Sequence, residues 1–126
     1  MRALIAAALC VACVSVAYGH DIYMSVKRNG IPCCGGDPVT GDCEALTDEQ
    51  IKVNPDGSAE MYSKRYKRWI AVAGSVIEWN TVPGDKPEDA GHICAKPYAM
   101  TALGKDTSQI DPDYFVFCAF VKPGGV

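Results

Sequence analysis

The chain has 126 residues, with 12 basic and 15 acidic side chains and a formal net charge of −3 at neutral pH. This mild acidity disfavours a nucleic-acid-binding protein, whose binding surface is expected to be strongly basic. The length suits one small domain, because two separate hydrophobic cores need a longer chain.

The amino terminus has the pattern of a secretory signal peptide. A short basic start precedes an apolar run from Ala3 to Val16. Its roughly fourteen residues fall short of the roughly twenty that span a bilayer. Ala17 and Gly19 satisfy the small-x-small rule for cleavage. We therefore predict a signal peptide at 1–19 and one mature domain at 20–126, exported to the periplasm or the cell exterior and without a membrane segment after cleavage.

The mature domain keeps five of the seven cysteines, namely Cys33, Cys34, Cys43, Cys94 and Cys118. In a small exported domain, disulfides supplement a limited core, and each typically contributes about 2–4 kcal/mol. The count does not fix which cysteines pair. One cysteine is left over, and it is either free or joins two chains in a dimer.

The first predicted elements are one helical turn and short strands. Thr47–Gln50 has the form of a capping box, which starts a helical turn. Ile51–Val53 and Ala59–Tyr62 flank an Asn-Pro-Asp-Gly segment, whose Asp-Gly pair is the strongest hairpin signal in the chain. Trp69–Val72 and Val76–Trp79 predict two further strands.

The carboxyl-terminal half continues the β-rich pattern. A long turn at Pro83–Gly91 leads to His92, and Tyr114–Val121 is aromatic and β-branched enough to be the clearest strand of all. The fold class that we predict is mainly β, or small α+β, with short antiparallel strands and hairpins, long turns and about two disulfides.

Two disulfides are predicted from these elements. The closing strand needs an anchor, which favours a bridge from Cys118 to Cys94. The loop from the Cys33–Cys34 doublet to Cys43 is rich in Gly, Pro and Asp and can fold back. We therefore expect one member of the doublet to pair with Cys43, and the other to be free or bridged to a second chain.

The basic run Lys64–Trp69 interleaves cations with aromatic side chains. This pattern is typical of a surface that binds a nucleic acid or another polyanion. Its alternation with period two also fits a half-exposed strand. We prefer the solvated strand because the rest of the chain is acidic.

Five motifs of the mature domain together resemble a known family. They are His20-x-x-Tyr23, Cys33-Cys34 with Asp42-Cys43, Trp69 with Val72, Gly91-His92-x-Cys94, and Cys118-x-Phe120-Val121-x-Pro123. The chain resembles small exported alphaproteobacterial proteins of unknown function that carry this cysteine framework. It departs from them at Ile22, where they often have tryptophan, at Lys122, where they often have proline, and in a longer Cys34 to Cys43 spacing. The resemblance implies export and a cross-linked domain, and it implies no particular activity.

Cleavage after Gly19 makes His20 the first residue of the mature protein. A terminal histidine offers a metal both its α-amine and its ring Nδ1. The other histidine of the chain is His92. One functional hypothesis is therefore a copper site like a histidine brace, with His20 and His92 as ligands and Tyr23 or Tyr114 near the axial position, because amine and imidazole nitrogens suit Cu(II).

The preferred hypothesis is a disulfide-stabilised module that binds a protein or an envelope component. The chain has no Gly-rich phosphate loop, no Gly-x-Ser-x-Gly elbow and no zinc-protease His-Glu pair, so we expect a binding protein rather than an enzyme. Thiol exchange at the odd cysteine is disfavoured because the mature chain lacks Cys-x-x-Cys. A zinc site from Cys33, Cys34, His92 and Cys94 suits a reducing compartment and is disfavoured by export.

Overall fold

The computed structural model describes residues 26–28, 31–33, 42–104 and 106–124, so the predicted signal peptide lies outside the described residues. Within these ranges the chain forms short strands and three single-turn 3₁₀ helices. The strands are β1 (Lys27–Arg28), β2 (Ile31–Pro32), β3 (Cys43–Leu46), β4 (Ile51–Val53), β5 (Ala59–Ser63), β6 (Arg68–Val72), β7 (Ile77–Glu78), β8 (Gly91–Pro97) and β9 (Tyr114–Val121). The 3₁₀ turns are Asp48–Gln50, Gly74–Val76 and Tyr98–Met100. The predicted mainly β fold with two disulfides is confirmed.

Two sheets pack face to face around the main core. One has the strand order β3-β8-β9-β7 and the other β4-β5-β6. Strand neighbours are antiparallel in both sheets, except that β7 runs parallel to β9. Both sheets contribute to the core cluster, which consists of Leu46, Ile51, Ala59, Met61, Ile70, Val72, Val76, Ile77, Ala90, Ile93, Ala95, Val116, Ala119 and Val121. The domain is therefore a small β-sandwich.

The four-stranded sheet is also buried on its other face. A second cluster there contains all four bridged cysteines and three apolar neighbours: Val26, Cys33, Cys43, Val82, Cys94, Cys118 and Phe120. Burial on both faces explains why β8 and β9 contain runs of four or five consecutive buried residues instead of an alternating pattern. We call this second face the disulfide face.

Several sequence predictions are confirmed closely. The hairpin of β4 and β5 forms around Gly57, whose φ of 88° lies in the left-handed region that glycine favours. β9 spans the predicted Tyr114–Val121. The capping box also forms, because the Gln50 side chain accepts a hydrogen bond from the Thr47 N–H at 3.0 Å. The single turn that it starts ends at Gln50.

The predicted strand Val76–Trp79 is wrong in extent. A 3₁₀ turn occupies Gly74–Val76, and β7 keeps only Ile77 and Glu78. The chain uses this turn to leave the three-stranded sheet and join β9 in the other sheet. The turn packs tightly, since a Cβ on Gly74 would lie 2.9 Å from the carbonyl oxygen of Gly57.

The basic run is not a continuous strand, and this prediction is also wrong. Residues 64–67 form the turn between β5 and β6, and only Arg68 and Trp69 belong to a strand. Lys67 has a φ of 55°, which lets the chain reverse direction at the end of the hairpin.

Gly91 begins β8 at a point of close backbone approach. A Cβ there would lie 2.3 Å from the carbonyl oxygen of Phe120 and 2.8 Å from Cδ1 of Ile51. The backbone of β9 cannot move away without disturbing its pairing with β8. Glycine is therefore required by packing, independently of its φ.

We predict that Gly91→Ala lowers the free energy of unfolding by about 1–3 kcal/mol, the usual cost of overpacking a buried site. Urea unfolding followed by far-UV circular dichroism measures it. The matched control is Gly104→Ala, because nothing lies within 4 Å of a Cβ at Gly104. Equal stability of the two variants would contradict the packing described for Gly91.

Candidate functional site

His92 lies on an inner strand of the four-stranded sheet. It lies on β8, between Ala45 of β3 and Phe120 of β9. Because side chains alternate along a strand, His92 faces the same side as Cys94, which is the disulfide face. Its side chain is only 1% exposed. An imidazole in this position needs polar partners, because burial of an unpaired polar group is costly.

The disulfides differ from both predicted pairs. Cys94 lies directly opposite Cys43 on β3 and opposite Cys118 on β9, so three cysteines form one row across three strands. The bonds join Cys43 to Cys94 and Cys33 to Cys118. The predicted bridges from Cys94 to Cys118 and from the doublet to Cys43 are therefore wrong. Cys94 has a cysteine opposite it on each neighbouring strand and bonds to the one on β3, Cys43. Cys118 is therefore available to bond to Cys33, the residue that follows β2.

The alternative zinc site built on cysteines is also contradicted. Cys33 and Cys94 are both in disulfides, so neither offers the thiolate that zinc requires. The fifth cysteine, Cys34, lies outside the described residues. The Cys43–Cys94 disulfide does anchor β8 two residues from His92.

Two aspartates approach His92 from the loop between β7 and β8. Asp85 and Asp89 each close a four-residue turn by the same pattern. The Asp85 carboxylate Oδ2 accepts the N–H of Val82 at 2.9 Å, and the Asp89 Oδ2 accepts the N–H of Lys86 at 2.9 Å. These local bonds explain why Asp occurs at both turns, since its short side chain reaches back to the backbone. They also fix where both carboxylates lie.

The imidazole and the two carboxylates form one compact cluster. His92 Nε2 contacts Asp85 Oδ1 directly. One ligand-capable atom from each of Asp85, Asp89 and His92 lies within 4.8 Å of the others. The Asp85 side chain is 12% exposed, so the cluster adjoins solvent on its loop side while His92 closes its inner side.

One imidazole and two carboxylates are a ligand set for a divalent transition ion. Zn²⁺ binds imidazole nitrogen and carboxylate oxygen at about 2.0–2.2 Å, and such ligands lie about 3.4 Å apart in tetrahedral geometry. The three candidate ligand atoms of this cluster lie within 4.8 Å of one another, so a single ion could contact all three. Ca²⁺ and Mg²⁺ fit less well, because they take oxygen ligands. A pair of carboxylate ligands also suits the charge of a divalent cation.

The residues of the predicted brace are described only in part. His92 is placed as above, whereas His20 and Tyr23 lie outside the described residues. Tyr114 pairs with Pro97 at the far end of β8, six residues along β9 from the partner of His92. That spacing corresponds to about 20 Å, too far for Tyr114 to serve as an axial ligand next to His92.

Asp85 and Asp89 are functional candidates that the sequence analysis missed. It treated their segment only as a long turn that leads to His92. The sequence does contain a usable signal, since the spacing Asp85-x-x-x-Asp89-x-x-His92 brings three ligand types into one loop and the strand that follows it. The signal is weak without the structure, because acidic residues are common in Pro- and Gly-rich turns.

Comparison of the chain with protein-family models, with curated proteins and with solved structures gives no match. The resemblance to exported alphaproteobacterial proteins therefore depends on the sequence motifs alone. Function has to be argued from the arrangement of residues in this fold.

We predict that non-reducing peptide mapping recovers the Cys33–Cys118 and Cys43–Cys94 peptides. Replacing the second pair, in Cys43→Ala/Cys94→Ala, should lower the free energy of unfolding by about 2–4 kcal/mol, because the unfolded chain loses a constraint. Chemical denaturation measures this difference. Recovery of a Cys94–Cys118 peptide would contradict the connectivity.

Proposed function

We propose that the protein is an exported, non-catalytic module that binds a divalent transition-metal ion through Asp85, Asp89 and His92. The single observation that carries the proposal is the proximity of the three side chains, whose ligand atoms lie within 4.8 Å of one another. Zinc, with its preference for such nitrogen and oxygen ligands, is the ion that we expect.

The surroundings of the cluster support binding rather than a chance approach of charges. His92 is held on a strand that pairs on both sides and is anchored two residues away by a disulfide. Asp85 and Asp89 are held by their own turns. A preorganised ligand set loses little conformational entropy when an ion binds.

Export is the second part of the proposal. Two disulfides within a small domain are typical of oxidising compartments. The apolar run at the amino terminus supplies the route, although it lies outside the described residues. Among the described residues, no helix is long and apolar enough to cross a membrane.

The copper brace remains a second candidate because Val26, the first described residue, lies on the same face of the sheet as His92. Val26 is buried in the cluster on the disulfide face, which is also the face of His92. Six residues lead from His20 to Val26, and an extended chain of that length reaches about 20 Å. A brace requires His92 to lie within that reach of Val26, and the His20 amine would then add a nitrogen ligand to the site.

We predict that Asp89→Asn weakens Zn²⁺ binding by the mature chain at least about tenfold, because it removes one of three anionic or nitrogen ligands. Asparagine retains the oxygen that accepts the Lys86 N–H, so the turn should survive. Isothermal titration with ZnCl₂ measures the affinity, and a Zn²⁺-dependent rise in melting temperature provides a second readout.

The matched control is Asp56→Asn. Asp56 also uses its carboxylate to accept a backbone N–H in a turn, that of Ser58, and the substitution removes the same charge. This variant should bind Zn²⁺ like the unchanged chain. If the unchanged chain and Asp89→Asn have equal affinity, the Asp85–His92 contact only fixes the loop, and the proposed site is wrong.

One further variant separates the two candidates. Adding one residue before His20 removes the free amine from that histidine, which should sharply weaken Cu(II) binding by a brace. The same extension should leave Zn²⁺ binding at Asp85, Asp89 and His92 unchanged. A parallel loss of Zn²⁺ affinity would show that the three side chains are not sufficient.

A further inference from the structure

The turn between β5 and β6 presents three basic side chains to solvent. Lys64, Arg65 and Lys67 are all exposed on residues 64–67. The chain as a whole is acidic, with a net charge of −3, so this end of the hairpin differs in sign from the average surface. A local cationic surface on an acidic protein favours association with an anionic partner.

Hydrogen bonds hold this turn in one conformation. Glu44 of β3 accepts the Ser63 hydroxyl at 2.8 Å and the Lys64 N–H at 2.7 Å. The Tyr66 N–H donates to the Ser63 oxygen at 3.1 Å, and the Tyr66 ring packs against Tyr114 with centroids 5.0 Å apart. The backbone that carries the cations is therefore fixed before any partner arrives, which lowers the entropic cost of binding.

Two aromatic rings lie immediately beside the turn. Tyr62 and Trp69 are opposite each other in the β5–β6 register and pack edge to face with centroids 5.4 Å apart. Both are partly exposed, while their neighbours Met61 and Ile70 point into the core. Alternation along the strands thus places the aromatic pair on the outer face of the three-stranded sheet.

The two neighbouring cations, Arg68 and Lys52, contact other side chains. Arg68 forms ion pairs with Asp111 at 3.3 Å and Asp113 at 3.1 Å, and the hydrogen bond to Asp113 raises the pKa of the Arg68 guanidinium. Lys52 lies opposite Glu60 and places its ammonium 4.1 Å from the Trp69 ring. Lys64, Arg65 and Lys67 are therefore the exposed cations at the end of this hairpin, beside the Glu44 carboxylate.

We infer that the hairpin-tip surface, defined as Tyr62, Lys64, Arg65, Lys67 and Trp69, binds an anionic polysaccharide. The cations would bind carboxylate or sulfate groups by charge-assisted hydrogen bonds, and the partly exposed aromatic rings offer apolar area to sugar rings. A nucleic acid is a poorer fit, because its binding surfaces carry more basic charge. The inference is independent of the metal site, which lies on the loop between β7 and β8.

Tryptophan fluorescence with dextran sulfate as the probe tests this inference. The chain has two tryptophans, Trp69 and Trp79, and Trp79 is 47% exposed. In a Trp79→Phe background the emission reports Trp69 alone. Dextran sulfate should shift this emission, neutral dextran should not, and the affinity should fall as salt concentration rises.

Two triple variants in that background assign the binding surface. Lys64→Gln/Arg65→Gln/Lys67→Gln should weaken dextran sulfate binding at least about tenfold, because three charge-assisted contacts are lost. Lys27→Gln/Arg28→Gln/Lys86→Gln removes the same number and types of cation elsewhere and should change affinity less than about twofold. Thermal melts confirm that both variants are folded.

Three results would overturn the inference. Equal weakening by the two triple variants would mean that net charge alone governs binding. An unchanged Trp69 emission at saturating dextran sulfate would exclude the aromatic pair. Tighter binding of polyuridylate than of dextran sulfate would make the partner a nucleic acid instead of a polysaccharide.

Discussion

The position of Cys94 between Cys43 and Cys118 is the constraint on which the rest of this domain depends. The three residues lie on adjacent strands of one sheet, and the two bonds tie β8 to β3 and β9 to the segment that ends at Cys33. The bridged cysteines also pack with Val26, Val82 and Phe120 as a second, small core on one face of the sheet. In a domain of this size the hydrophobic core is small, and such disulfides supply additional stability.

The constraint also determines what His92 can do. A histidine two residues from a bridged cysteine, on a strand that is paired on both sides, has a fixed position and direction. The loop of Asp85 and Asp89 then brings carboxylates to it by purely local turn bonds. A long-range disulfide therefore positions His92, and local turn hydrogen bonds position the two carboxylates beside it. The arrangement gives a ligand set without requiring a long or flexible binding loop.

The sequence predicted local structure better than long-range pairing. β9 was predicted over its observed range because aromatic and β-branched residues cluster within one segment. The disulfides were mispaired because the partner of Cys94 depends on the register of β3 and β9, which are distant in the chain. The basic run was mistaken for a strand because alternation also occurs across a tight turn. Asp85 and Asp89 were overlooked because a turn that binds its own backbone has the same composition as one that also binds an ion.

X-ray absorption spectroscopy of the zinc-loaded mature protein tests the metal-binding claim most directly. The account predicts a first shell of nitrogen and oxygen at about 2.0–2.2 Å, with outer-shell scattering from one imidazole and no sulfur at about 2.3 Å. Scattering from sulfur would mean that a cysteine, not the Asp85–Asp89–His92 cluster, holds the ion. A protein that retains no zinc after desalting would contradict the claim altogether.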